Sequence, residues 1–150
     1  ERNPGDNTSV HLVDIPETPA DWLNEPLAAK FRFLRGVRGV ANAMMEIERT
    51  NKTIGSSLEA DLLVRAPEVD QVDWLKSIPF DDFCIVSNVH IENGRPVNDD
   101  GTPFGPNFEG VGVKVRFANG QKCQRCWKIL PDVGRHSHPG TCKRCSEALG

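Results

Sequence analysis

Four cysteines near the end of the chain have the type and spacing of a metal site. Cys123, Cys126, Cys142 and Cys145 form two CxxC pairs that are separated by 15 residues. Each CxxC places two thiolates on one tight turn, and two such turns can surround a tetrahedral zinc ion at Zn–S distances of about 2.3 Å. We therefore predict one Zn²⁺ ion held by these four residues.

Other uses of these cysteines fit the sequence less well. The chain has five cysteines, opens with no secretory signal segment and lacks a dense framework of bridges, which argues against disulfides. A thioredoxin-like redox site needs one CxxC beside a βαβ unit rather than two facing pairs. His136 and His138 lie between the pairs, and either could replace a cysteine as ligand. Because the cysteines already fill four positions, we expect both histidines to be loop residues that face solvent or nucleic acid.

The predicted zinc is structural rather than catalytic. Four protein ligands close the coordination sphere and leave no position for a reactive water. The sequence also lacks the HExxH, P-loop and GxSxG patterns. Cys84 has no partner at ligand spacing, so we expect a buried hydrophobic thiol. We predict no catalytic residue in this chain, and the remaining chemistry is recognition.

Charge is divided unevenly along the chain, with a basic end. Residues 1–110 hold 10 Lys and Arg against 19 Asp and Glu, whereas residues 111–150 hold 8 against 2. A basic module beside an acidic body attracts polyanions, although a merely solvated surface would have the same composition. Trp127 directly follows a cysteine and could stack on an unpaired base; the alternative is that it packs against the zinc turns. The predicted RNA contacts of this module are Lys122, Arg125, Trp127, Lys128, Lys143 and Arg144.

A long amphipathic helix is predicted in the part of the chain before the basic module. Asp21 is its predicted N-cap, and Pro26 is tolerable near the helix start. Helical periodicity places seven apolar residues on one side, which we predict to be core: Leu27, Leu34, Val37, Ala41, Met44, Met45 and Ile47. A neighbouring polar edge holds Arg35, Arg38, Asn42 and Arg49. Arg35 and Arg38 are further candidate RNA contacts, with plain solvated charges as the alternative.

The remaining patterns predict a small α+β layer. Residues 61–65 and 110–118 read as strands, residues 70–78 as a short helix, and residues 82–91 as a buried strand that includes Cys84. We expect residues 1–20 to dock on the long helix. Three regions follow: residues 1–66 as the end of a helical domain, 67–119 as an α+β junction, and 120–150 as the zinc module.

Four stretches carry a family resemblance. These are "SVHL" at residues 9–12, "FRFLRGVRGVANAMMEIERTNKTIGSSLEA" at 31–60, "GQKCQRCWK" at 120–128 and "HPGTCKRCSEAL" at 138–149. Together they resemble the C-terminal end of bacterial isoleucyl-tRNA synthetases, class I enzymes that join isoleucine to its tRNA using ATP. The resemblance implies that the helical domain and the zinc module hold the anticodon end of the tRNA. The HIGH-type and KMSKS-type signatures of the family are absent, so catalysis and ATP binding are expected in another part of the enzyme.

The resemblance also implies partners and a location. We expect tRNA(Ile) and the rest of a synthetase chain as partners, a monomer, a cytoplasmic location and no membrane contact. Because the first residue is Glu1 rather than Met, we expect a piece excised from a longer protein. One alternative is the finger region of a formamidopyrimidine-type DNA glycosylase, and another is a zinc-ribbon binding module without an enzyme.

Overall fold

A computed structural model describes residues 16–150 and, before them, residues 9, 11 and 14. The predicted docking of residues 1–20 on the long helix therefore falls largely outside the described residues. No helix in the described part of the chain is long and apolar enough to cross a membrane.

The long helix, α1, spans Glu25–Thr50 and begins differently from the prediction. Its N-cap is Asn24, whose side chain accepts a hydrogen bond from the Leu27 backbone N–H at 3.0 Å. The predicted cap, Asp21, lies instead in a 3-10 turn at Ala20–Trp22. Pro26 sits in the first turn of α1, where its missing N–H costs no helical hydrogen bond.

Only the middle of α1 is buried. Its core residues are Phe33, Leu34, Val37, Val40, Ala41 and Met45. The predicted core positions Leu27 and Ile47 are exposed, and Met44 is half-buried. Periodicity gives the direction of a side chain but not the extent of the surface that covers it, and α1 packs mainly on one strand of the sheet.

That sheet has four strands in the order β2-β1-β4-β3. The central strand β1 (Ala60–Ala66) runs parallel to β2 (Asn88–Asn93) and antiparallel to β4 (Val111–Phe117), which also pairs with β3 (Asn107–Phe108). Helix α2 (Val69–Lys76) and the short α3 (Phe80–Cys84) connect β1 to β2. The predicted α+β class is confirmed, and one core is shared by α1, α2, α3 and the sheet. The predicted boundary after residue 66 thus passes between strands of one sheet.

The predicted buried strand at residues 82–91 is confirmed as a strand only at residues 88–91, and it is wrong for the residues before them. The chain forms α3, turns at Ile85 with a left-handed φ of 59°, and then enters the edge strand β2. Asp81 and Asp82 in the first turn favour a helix start at this point, and a short apolar run alone cannot separate helix from strand. Cys84 is buried as predicted, and burial raises the pKa of its thiol to about 12.

Two glycines inside α1 should respond in opposite ways to alanine. A Cβ at Gly36 would lie 2.5 Å from Cδ1 of Phe108, whereas a Cβ at Gly39 meets nothing within 4 Å. Gly39→Ala should therefore raise the free energy of unfolding by about 1 kcal/mol through helix propensity. Gly36→Ala should lower it, because overpacking costs about 1–3 kcal/mol and outweighs that gain. Urea denaturation of both variants tests the pair, and equal stabilisation would contradict it.

Candidate metal centre and nucleic-acid interface

The finger, residues 120–150, consists of a small hairpin and a short helix. Strands β5 (Gln121–Lys122) and β6 (Ile129–Leu130) pair antiparallel, and the turn between them carries Cys123 and Cys126. Helix α4 (Lys143–Glu147) has Cys142 as its N-cap and contains Cys145. The hairpin and the helix thus present the two CxxC pairs to one point.

The four thiols fit a tetrahedral zinc ion. Their Sγ atoms all lie within 4.8 Å of one another, and all four cysteines are free. The Sγ atoms of Cys126 and Cys142 are 3.8 Å apart, which is far too long for a disulfide. A tetrahedron with Zn–S distances of about 2.3 Å has edges of about 3.8 Å. Three of the cysteines are buried and Cys126 is half-buried.

The surroundings of the thiols also favour a cation. Burial opposes ionisation of Cys123, but nearby backbone N–H groups, including the Cys142 N–H at 3.4 Å from its Sγ, outweigh burial and lower its pKa to about 6. Burial and neighbouring thiols raise the pKa of Cys142 to about 12. Four thiolates this close together need a positive ion among them, which a Zn²⁺ ion would supply.

Both histidines of the intervening loop stay outside this cluster. His136 Nε2 lies 3.0 Å from Asp132 Oδ2, and His138 Nδ1 lies 3.2 Å from Ser146 Oγ. Asp132 also accepts a hydrogen bond from the Lys143 backbone N–H at 2.8 Å. The histidines therefore help to hold the loop against α4 rather than act as ligands.

Trp127 is exposed beside the metal cluster. Its side chain is 60% exposed, and its backbone has a left-handed φ of 67°, which is uncommon for a bulky residue. The Lys122 Nζ lies 5.8 Å from the centre of the indole ring. The small core of the finger consists of the four cysteines, Val133 and Leu130, so Trp127 is not part of it.

Lys128 does not have the position expected of a phosphate contact. The residue is only 7% exposed, and its Nζ donates to Asp81 Oδ2 and Asp82 Oδ1, each at 2.6 Å. Burial alone would lower the pKa of Lys128, but the hydrogen bonds to both carboxylates raise it. The bond from Lys128 likewise holds the pKa of Asp82 below its ordinary value. Lys128 is therefore a link between the finger and α3, and we leave it out of the proposed RNA contacts.

Further contacts join the finger to the body. Arg144 Nη1 lies 3.2 Å from Asp82 Oδ2. The buried Ile129 backbone N–H donates to Ser87 Oγ at 2.6 Å, and Ser87 Oγ donates in turn to the Leu58 carbonyl at 2.5 Å. Sequence reasoning missed Asp81, Asp82 and Ser87. The sequence shows Asp81 and Asp82 as an acidic pair and residues 111–150 as a basic region. It does not show which of these charges meet in the fold.

The other predicted RNA contacts lie on two parts of the molecule, the finger and α1. On the finger, Lys143 is exposed, and Arg125 directs Nη1 toward Cys145 Sγ at 3.9 Å. On α1, Arg35 is exposed, whereas the half-buried Arg38 lies over the ring of Phe83, 5.4 Å from its centre. The structure therefore brings Lys122, Arg125, Trp127, Lys143 and Arg144 onto one small module.

This module and the chain as a whole match known proteins. Residues 120–148 match the family described as "Zinc finger found in FPG and IleRS". The whole chain is 49% identical to an isoleucine--tRNA ligase from Ruegeria pomeroyi. Relatives with the same name from Agrobacterium fabrum and Fervidobacterium nodosum are 38% and 40% identical over 96% and 94% of the chain.

Along its whole length the chain is similar to one part of isoleucine--tRNA ligases, as the sequence resemblance indicated. It spans about 15% of the length of each of these relatives. The family description of the finger alone covers both ligases and FPG proteins, but the matches along the whole chain favour the ligase reading over the glycosylase alternative.

Proposed function

We propose that this chain is the part of an isoleucine--tRNA ligase that binds the anticodon region of tRNA(Ile). The ligase would be a cytoplasmic, monomeric class I enzyme whose ATP-dependent chemistry lies in another part of its chain. The observation that carries this proposal is the exposed Trp127 beside the four-cysteine cluster, with the Lys122 ammonium over its ring.

An exposed indole on a basic module suits single-stranded RNA. Aromatic side chains stack on unpaired bases, while neighbouring cations hold the phosphates. Lys122, Arg125, Lys143 and Arg144 provide those cations in this chain. Trp127 comes directly after Cys126, and its backbone is left-handed. The turn that carries the zinc ligand Cys126 therefore also sets the direction of the indole.

Zinc would have a structural role in this function. Cys123, Cys126, Cys142 and Cys145 would hold the ion, and it would fix the two turns of the finger relative to each other. The chain's own residues carry the recognition.

A binding experiment should distinguish the contribution of base stacking by Trp127 from the contribution of the Lys143 charge. Trp127→Ala should weaken binding of a tRNA(Ile) anticodon stem-loop by about 1–3 kcal/mol, the value of one base on an aromatic side chain, with an unchanged salt slope. Lys143→Ala should weaken binding of every RNA and reduce the slope of log K against log salt by about 0.7. Trp22→Ala, which removes a 72% exposed indole outside the finger, is the matched control and should have no effect.

Zinc content and thermal melting should be measured on the same variants. Unchanged RNA binding by Trp127→Ala with zinc retained would contradict the stacking role. Loss of zinc from that variant would instead assign the indole to packing, and tighter binding to duplex DNA than to the stem-loop would overturn the RNA function.

A further inference from the structure

A cavity between the finger and the body leads to two of the four cysteines. Its volume is about 360 Å³, and Cys126 and Cys142 form part of its wall. Equal numbers of cations and carboxylates also line it: Lys128, Lys143, Arg144, Asp81, Asp132 and Glu147. Because these charges balance, the cavity favours neither an anion nor a cation by net charge. It is large enough for small uncharged molecules, since a water molecule occupies only about 30 Å³ of liquid.

Cys126 is the cysteine of the cluster that such a molecule reaches first. It is half-buried, whereas the other three cysteines of the cluster are at most 2% exposed. A cysteine that holds a metal ion is a thiolate, which is also the nucleophilic form of the side chain. All four ligands would share this character, so exposure decides which sulfur reacts. The cavity gives that exposure to Cys126.

Cys142 is placed to form a disulfide with Cys126. Its Sγ lies 3.8 Å from the Cys126 Sγ, and both residues line the same cavity. A disulfide bond is about 2.05 Å long, so the two sulfur atoms need to approach by about 1.8 Å. An oxidised cysteine beside a second thiol condenses with it to a disulfide. Cys142, which is itself 2% exposed, is therefore the resolving partner rather than the first site of attack.

We propose that Cys126 is a peroxide-reactive site and that its oxidation to a disulfide with Cys142 releases the zinc ion. In the first step, the Cys126 thiolate attacks one oxygen of hydrogen peroxide. An S–O bond forms, the O–O bond breaks, and hydroxide leaves and takes a proton from solvent. The cationic groups of Lys143 and Arg144 on the cavity wall stabilise this leaving hydroxide.

In the second step, the Cys142 sulfur attacks the Cys126 sulfur. The S–S bond forms, the S–O bond breaks, and a second hydroxide leaves and is protonated by solvent. Two thiolates have then lost two electrons in total, and hydrogen peroxide has been reduced to two water molecules. The cluster keeps only Cys123 and Cys145 as ligands, so the metal and the fixed position of Trp127 are lost together. This inference rests on the predicted zinc site and does not depend on RNA binding.

The test adds hydrogen peroxide stepwise to the zinc-loaded chain and follows zinc release with a colorimetric chelator. One peroxide should release one zinc ion, and peptide mass mapping should find a Cys126–Cys142 disulfide. Dimedone added with the peroxide should trap the sulfenic acid on Cys126. Cys84, which is 2% exposed in the body core, should stay reduced as the internal control. Dithiothreitol followed by Zn²⁺ should restore the metal.

Two tryptophan variants test the route through the cavity. Glu147→Trp places a large ring at an exposed position of the cavity wall and should slow peroxide-dependent zinc release severalfold. Arg135→Trp, at an exposed position of the finger outside this cavity, is the matched control and should release zinc at the rate of the unaltered chain.

The outcomes separate this inference from the zinc prediction. A chain that binds no zinc when it is supplied overturns both. If zinc is bound, then its retention under peroxide, trapping of the sulfenic acid first on another cysteine, or equal release rates for the two variants overturns the peroxide site alone.

Discussion

Removal of zinc is expected to unfold residues 120–150 while α1 and the sheet remain folded. The core cluster of the finger consists of the four cysteines, Val133 and Leu130, so little apolar burial remains once the metal is lost. The body has its own core of 19 buried residues and does not depend on the ion. Structural zinc sites of this kind contribute about 10–16 kcal/mol of apparent binding free energy, which is also folding free energy.

A chelator titration followed by amide NMR would measure this effect. Signals from residues 120–150 should collapse to unfolded positions, while those of β1, β4 and α1 persist. Cys145→Ser should produce the same state without chelator. Cys84→Ala is the matched control, because it removes a buried thiol from the body core and should leave one zinc per chain. A finger that keeps its folded spectrum without metal would refute the prediction.

Loss of the Lys128 ammonium should weaken the contact between the finger and α3. Lys128→Met keeps most of the buried side-chain volume but leaves Asp81 and Asp82 without their shared cation. Breaking a fully buried pair costs about 3–5 kcal/mol. The two carboxylates here are 35% and 43% exposed and can regain water, so we expect a smaller loss of about 2 kcal/mol.

Thermal melting and a double-mutant cycle would measure that loss. Lys128→Met should lower the free energy of unfolding, and the combined variant with Asp81→Asn and Asp82→Asn should recover part of it. Lys143→Met is the control in the same finger, since Lys143 and Glu147 form an exposed pair at 4.0 Å that should contribute less than about 1 kcal/mol. Equal effects of Lys128→Met and Lys143→Met would show that the buried pair does not hold the finger.

Features that depend on residues close together in the chain could be predicted from the sequence. CxxC spacing sets two ligands on one turn whatever surrounds them, so the four-cysteine cluster was predictable. Helical periodicity located α1 and most of its buried face, and the apolar patterns located β1 and β4. These inferences succeed because the causes, turn geometry and local side-chain direction, act within a few residues.

Which distant residues meet could not be predicted, because it depends on how the whole chain folds. In the sequence, Lys128 is one more cation of a basic module. In the fold, it lies against two carboxylates 46 and 47 residues earlier in the chain. The exposure of Trp127 and the cavity that reaches Cys126 likewise depend on how the finger and the body pack. Charge and aromaticity are properties of a residue, but its accessibility and its partners depend on contacts across the fold, which no local pattern encodes.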